Sequence, residues 1–257
     1  MPEGDTVYRT ARRLDEALTG AEVTRFELRV PRAATADLTG ERVGGSVSRG
    51  KHLLLRVGEW TLHSHLKMEG EWRVFARGAR WSKPAFTARA IVGTAAREAV
   101  GFELAEVKLV PTRDEEELVG YLGPDPLADD WDPALAAARL QADPRPVHVA
   151  IQDQRNIAGF GNEYANEILF VRGVLPTTPA TEVDAAALVD LGARMIRANR
   201  DRTPRTFTGD ARPGRATWVY GREHRPCRRC GTLVRRSELG ADPTKLRNVF
   251  WCPACQR

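Results

Sequence analysis

The sequence predicts an α+β protein: an N-terminal helix followed by a β-sandwich, then a helical stretch, then a cysteine-bearing β-hairpin. Three observations carry this reading. A helical apolar period opens the chain, and short β-like runs separated by Gly, Pro or charged turns occupy residues 23–110. A Pro- and Asp-rich stretch, GPDPLADDWDP at 123–133, then introduces helical patterning, and all four cysteines fall after residue 226.

Each element follows from its residues. Val7, Ala11, Leu14 and Leu18 recur at the spacing of one helix face, which predicts a helix over 5–19, with Asp5 or Thr6 as its cap and Gly20 as its stop. The runs VTRFELRV, KHLLLRV, WTLHSHL, EWRVF, RAIVGT, AVGFEL and EVKLV predict seven strands, enough for a sandwich or barrel packed on that helix. Gly123–Pro133 reads as a linker. Beyond it, helices are predicted over Pro133–Leu140, Pro146–Gln152, Asn162–Phe170 and Glu182–Asn199. The stretch from Thr217 onward has too little apolar material to fold unaided, so the expected divisions are 1–123, 124–216 and 217–257. No internal repeat or low-complexity segment interrupts this plan.

Charge narrows the class of partner. The net charge is only +5, but residues 194–257 carry 16 Lys+Arg against 5 Asp+Glu, while the remainder has 23 against 29. A basic end beside a mildly acidic body points to a polyanion, most simply nucleic acid. No apolar run approaches the length of a membrane span. The start MPEGDTVYRT lacks the apolar core of a secretory signal, so the expected location is the cytoplasm, at the nucleoid.

The cysteines form two pairs, Cys227-Arg-Arg-Cys230 and Cys252-Pro-Ala-Cys255. Two such knuckles joined by a hairpin bring four thiolates around one Zn²⁺. Four thiolates leave no open position for water, so the ion is structural, and its binding would fold the tail and fix its arginines. The segment Ile151–Phe170 reads as a helix end, a turn and a helix start. Gly159 and Gly161 allow a tight turn, and Asn162 opens the next helix, where backbone N–H groups and the helix dipole favour a phosphate. By itself a GxG turn is a weak signal; beside a basic metal-binding tail it favours DNA.

Four segments together resemble the formamidopyrimidine-DNA glycosylase and endonuclease VIII family. They are MPEG at the start, SRGK at 48–51, QDQxxIAGxGNxYANEILF at 152–170 and the closing CxxC…CPxCQ. They span the whole chain in the family's order. The resemblance implies an N-terminal helix plus β-sandwich, a helix-two-turn-helix module and a C-terminal β-hairpin zinc finger. It also implies removal of oxidised bases from damaged DNA followed by strand cleavage by β,δ-elimination.

What the resemblance implies can be carried over residue by residue. Removal of Met1 leaves Pro2 with a secondary α-amine, and such amines titrate at roughly 7.7–8.0, so a neutral fraction is available to attack the sugar C1′. Glu3 corresponds to the family's general acid, and Lys51 to a lysine that contacts phosphate and donates a proton during β-elimination. Arg247, five residues before Cys252, corresponds to the arginine that clamps phosphates flanking the lesion and assists δ-elimination. Asn162 corresponds to the turn asparagine on a phosphate. Met68 corresponds to a wedge that fills the gap left by an extruded nucleotide, with Lys67 as a DNA contact; for Met68 a buried core position is the competing reading. His63 and His65 are expected to be structural or DNA-facing and not metal ligands.

Two departures stand out. Asp5-Thr6 occupies the place where family members usually carry Pro-Glu, so the second active-site carboxylate is missing at its usual position and Asp5 is the candidate replacement. Residues 102–111, FELAEVKLVP, lack the Arg-Phe pair of the oxidised-purine branch, which places the chain nearer the endonuclease VIII branch and oxidised pyrimidines. The expected partner is damaged duplex DNA, bound by a monomer. The alternative from another class is a non-catalytic damage sensor using the same turn and finger; an RNA-binding zinc ribbon is a further rival.

Overall fold

A computed structural model describes Pro2–Arg257, and its contacts divide the chain after Tyr121 into two compact units. In the first unit, helix α1 spans Gly4–Leu18, and its predicted face of Val7, Ala11, Leu14 and Leu18 is buried. Glu3 takes the N-cap position, ahead of the expected Asp5 or Thr6, and its carbonyl accepts the N–H groups of Thr6 and Val7.

Eight strands follow: β1 (Arg25–Leu28), β2 (Val43–Arg49), β3 (His52–Val57), β4 (Trp60–His65), β5 (Glu71–Ala76), β6 (Ala88–Gly93), β7 (Arg97–Phe102) and β8 (Glu106–Pro111). They form two antiparallel four-stranded sheets, ordered β1-β6-β7-β5 and β2-β3-β4-β8. Their alternating side chains share one core with α1, in which Leu53, Leu55, Val57 and Leu62 meet Phe26, Leu28, Ala90, Val92 and Trp72. The Trp72 indole N–H donates to Ser64 Oγ at 3.0 Å, satisfying both polar atoms inside that core. On the opposite side of β3 and β4, Glu115 at the start of α2 (Glu115–Val119) accepts a two-pronged bond from Arg56 at 2.8 and 2.7 Å and a third from Thr61.

The second unit contains α3 (Pro133–Gln141), α4 (Val147–Ala150), α5 (Asn162–Arg172), α6 (Ala185–Asn199) and the hairpin β9 (Arg235–Leu239) and β10 (Arg247–Trp251). Asp132 and Asp184 cap α3 and α6, each accepting a backbone N–H at 2.9 Å three residues on. The helices bury a core of Leu140, Ile151, Phe160, Tyr164, Ile168, Leu188 and Ile196.

The Gly123–Pro133 stretch differs from the linker read in the sequence: Gly123 to Pro126 are buried. The Gly123 N–H donates to the Gln154 carbonyl at 2.8 Å, and Arg197 Nε to the Pro126 carbonyl at 2.9 Å. The segment's Pro and Asp residues therefore fit a specific path over the helices, and a Cβ on Gly123 would stand 2.5 Å from the Arg155 carbonyl. Among the described residues no helix is long and apolar enough to cross a membrane.

Candidate nucleic-acid interface and metal centre

In the first unit the candidate residues lie at the start of α1 and in two turns. Pro2 is half-buried and leads directly into the helix. Glu3 and Asp5 are both 0% exposed, so the helix opens with two carboxylates removed from water. Asp5 is held in place: one oxygen accepts the Thr6 N–H at 2.8 Å and the other lies 3.8 Å from Arg9. Met1, whose removal would free the Pro2 amine, lies outside the described residues.

Lys51 is half-buried in the two-residue turn joining β2 to β3, where Arg49 pairs with His52. Gly50 precedes it at φ +57°, the first-position geometry that a type II′ hairpin turn requires and glycine supplies. Lys67 and Met68 stand at the tip of the connection from β4 to β5. Met68 is 60% exposed, so it is no core residue.

Beside these turns lies a layer of imidazoles. His52 Nδ1 and His63 Nε2 are 2.8 Å apart, His52 Nε2 is 3.0 Å from the Tyr121 hydroxyl, and the His65 ring stands edge-on to His52. Burial, with His63 next in effect, pushes His52 down to about 4, and burial, followed by Lys67, pushes His65 down to about 3. The imidazoles are therefore neutral at physiological pH. Among the described residues they do not form a group able to hold a metal ion.

The second unit brings its candidates together. Asn162 is the first residue of α5, follows the extended Gly161, and is nearly buried. Its amide donates to the Asn248 carbonyl at 2.9 Å, so the turn is tied to the residue next to Arg247. One helical turn on, Asn166 accepts the Phe250 N–H at 2.6 Å and donates to the Asn162 carbonyl at 2.7 Å. Another residue on, Glu167 is fully buried and accepts three backbone N–H groups, from Trp218, Val219 and Tyr220, at 2.8, 2.9 and 2.8 Å. Helix α5 thus anchors both the hairpin and the segment that leads to it, while Arg247 remains exposed at the start of β10.

The four cysteine sulfurs lie within 4.8 Å of one another. Cys227 and Cys255 Sγ are 4.0 Å apart and Cys230 and Cys252 Sγ are 3.4 Å apart. Tetrahedral zinc with Zn–S near 2.3 Å requires separations of about 3.8 Å, so the donors fit such an ion. In the absence of metal, burial and then the neighbouring sulfurs push the Cys255 thiol up to about 12. Sulfurs this crowded resist ionising together, which a divalent cation offsets. Gln256 supports the second knuckle: its carbonyl accepts the Cys252 N–H and its amide donates to the Val174 carbonyl, each at 2.9 Å.

Comparison with known proteins then decides the family. The formamidopyrimidine-DNA glycosylase N-terminal domain model matches residues 1–159, and the H2TH domain model of the same glycosylase matches residues 122–197. The chain belongs to the formamidopyrimidine-DNA glycosylase family. It is 51% identical to the probable endonuclease 8 2 of Streptomyces coelicolor, over all of this chain and 94% of that protein. It is 47% identical to the DNA-(apurinic or apyrimidinic site) lyase Nei2 of Mycolicibacterium smegmatis, over 100% and 99% of the two chains. Identity to the formamidopyrimidine-DNA glycosylase of Parasynechococcus marenigrum is 31%, so the chain stands nearer the endonuclease 8 relatives. The fold superposes on a MutM solved with carbocyclic 8-oxo-G containing DNA at a TM-score of 0.82, 24% identity and full coverage of both chains.

Within this family fold, sequence reasoning missed two polar residues, Asn166 and Glu167, and placed His65 only as structural or DNA-facing. The available signal for Asn166 and Glu167 was their place between Tyr164-Ala165 and Ile168-Leu169-Phe170 in NEYANEILF, where buried polar groups need partners.

Proposed function

We propose that this protein is a bifunctional DNA glycosylase and AP lyase of base excision repair that favours oxidised pyrimidines in duplex DNA and works as a monomer in the cytoplasm. The observation that carries this reading is the opening of α1. Pro2 is followed by two fully buried carboxylates, in a chain whose full-length relatives include a protein named as an AP-site lyase.

In this reading Pro2, freed of Met1, attacks C1′ as a neutral amine while the base departs. The resulting iminium makes the C2′ proton acidic, and its loss expels the 3′ phosphate. Glu3, shielded from bulk water, protonates the sugar ring or base as the glycosidic bond breaks. Asp5 stands in for the second carboxylate, and Lys51 contacts phosphate and passes a proton during elimination. The 1–123 part carries this chemistry. The 124–216 and 217–257 parts grip the backbone through Asn162 and Arg247, with Lys67 as a further contact and Met68 filling the stack. Cys227, Cys230, Cys252 and Cys255 hold one structural zinc ion.

Borohydride reduction in the presence of abasic-site duplex tests the proposal. A processed chain should form a covalent DNA complex, and Pro2→Gly should lose most of it while keeping DNA affinity. No trapped complex from a chain proven to begin at Pro2 would leave a DNA-binding damage sensor instead.

A further inference from the structure

We propose that His65 is a positioning residue whose ring nitrogen sets the shape of the Lys67–Met68 turn and so the reach of the Met68 side chain into DNA; this rests on the reading of Met68 as the wedge. The β4–β5 connection has few means of holding a shape, because it leaves one sheet and enters the other and exposes Lys67, Met68 and Glu69. Three features hold it. Leu66 is buried in the sandwich core, which anchors the near end. The Gly70 N–H closes on the Leu66 carbonyl at 2.9 Å, and a Cβ on Gly70 would stand 2.5 Å from that carbonyl oxygen, so the far end must be glycine. Between them Lys67 adopts φ +54°, a left-handed conformation that a lysine avoids unless something enforces it.

Where the turn begins, the Lys67 N–H donates to His65 Nδ1 at 3.0 Å, which fixes the Leu66–Lys67 peptide plane from which the turn departs. The geometry is that of an Asx turn, in which a side-chain acceptor takes the N–H two residues on. This chain builds the same turn with aspartate at Asp37, Asp125, Asp143 and Asp153. At residue 65 histidine supplies the acceptor. His65 pairs across the sheet with His52 on one side and Glu106 on the other, which fixes where its ring stands. A neutral imidazole that carries its proton on Nε2 leaves Nδ1 as the acceptor this bond requires.

The experiment compares single-turnover excision of dihydrouracil from duplex with borohydride trapping on a single-stranded abasic oligonucleotide, where no base stack needs a wedge. The proteins are wild type, His65→Ala, His65→Asn and Met68→Ala, each with its thermal midpoint measured. His65→Ala should slow duplex excision about tenfold, the factor that about 1.4 kcal/mol of conformational preference produces. It should leave single-strand trapping within twofold of wild type, on the same scale. His65→Asn places an amide oxygen where Nδ1 stands and should restore the duplex rate. If His65→Ala does not fold, His65→Asn alone decides, since a folded but slow Asn variant overturns the proposal. A slow Met68→Ala with an unaffected His65→Ala also overturns it and leaves the wedge standing. A duplex rate unchanged in Met68→Ala overturns the wedge reading, and this proposal with it.

Discussion

Replacing Glu167 tests whether the segment leading to the cysteine-bearing hairpin is held by α5. Its carboxylate is fully buried and takes three backbone N–H groups, two on one oxygen and one on the other. Glu167→Ala leaves all three without an acceptor. A buried donor deprived of its partner costs about 1–3 kcal/mol. The Val219 amide is fully buried, while Trp218 and Tyr220 are half-buried and regain some solvation. A loss of roughly 4 kcal/mol is therefore expected, and at about 2–4 °C per kcal/mol the thermal midpoint should fall by roughly 10 °C. Glu167→Gln keeps one oxygen for Val219 and Tyr220 but turns an NH₂ toward the Trp218 N–H, so about half that loss is expected. Burial, offset in part by the three bonds, raises the Glu167 carboxyl from its ordinary 4.5 to about 7. Between these values the folded state holds the proton that the unfolded chain has released. Wild-type stability relative to Glu167→Gln should therefore fall as pH rises from about 4.5 to about 7. Calorimetry at several pH values, with amide exchange read at Trp218–Tyr220, is the assay. Equal losses for Ala and Gln, or unchanged exchange at those amides in the Ala variant, would refute the anchoring argument.

Three further outcomes are expected. Cys227→Ser, or prolonged chelation, should release bound zinc, unfold the hairpin and abolish tight DNA binding; metal analysis showing one zinc per chain retained in the variant would refute the assigned ligand set. Gly192→Ala should lower the thermal midpoint, because the new Cβ would stand 2.5 Å from Phe160 Cζ, and overpacking of this kind costs about 1–3 kcal/mol; a neutral effect would mean that Phe160 has room to move. His52, His65 and His148 are lowered from 6.5 to about 4, 3 and 4, in each case mainly by burial. Bases with depressed folded values lose their stabilising contribution as pH falls below 6.5 toward 4, so the midpoint should drop between pH 7 and pH 5. His148→Gln should flatten that drop, and an unchanged profile would count against a neutral buried imidazole.

Where sequence and structure part company, the reason is one of range. Helix α1 was readable because one face of it meets the core, and strands β3, β4, β6 and β7 because burial on both sides leaves near-continuous apolar runs bounded by turns. Strand β2 was not, since VGGSVSR carries glycine and serine in place of the β-branched pattern. Its pairing comes from β3, and its glycines leave room beside α1, where Asp15 stands 3.4 Å from a Cβ built on Gly45. The 123–126 segment failed as a linker for a related reason: its proline and glycine signal irregular backbone, but burial depends on Gln154 and Arg197, which are distant in sequence. The candidate site divides the same way. Cys227, Cys230, Cys252 and Cys255 stand out because their two short CxxC pairs carry the spacing that a tetrahedral metal site requires. Glu167 and Asn166 do not, because their partners lie from 51 to 84 residues away and are backbone groups that carry no side-chain signature. His65 falls between these cases. Its partner is only two residues on, yet that partner is a backbone N–H, which carries no side-chain signature.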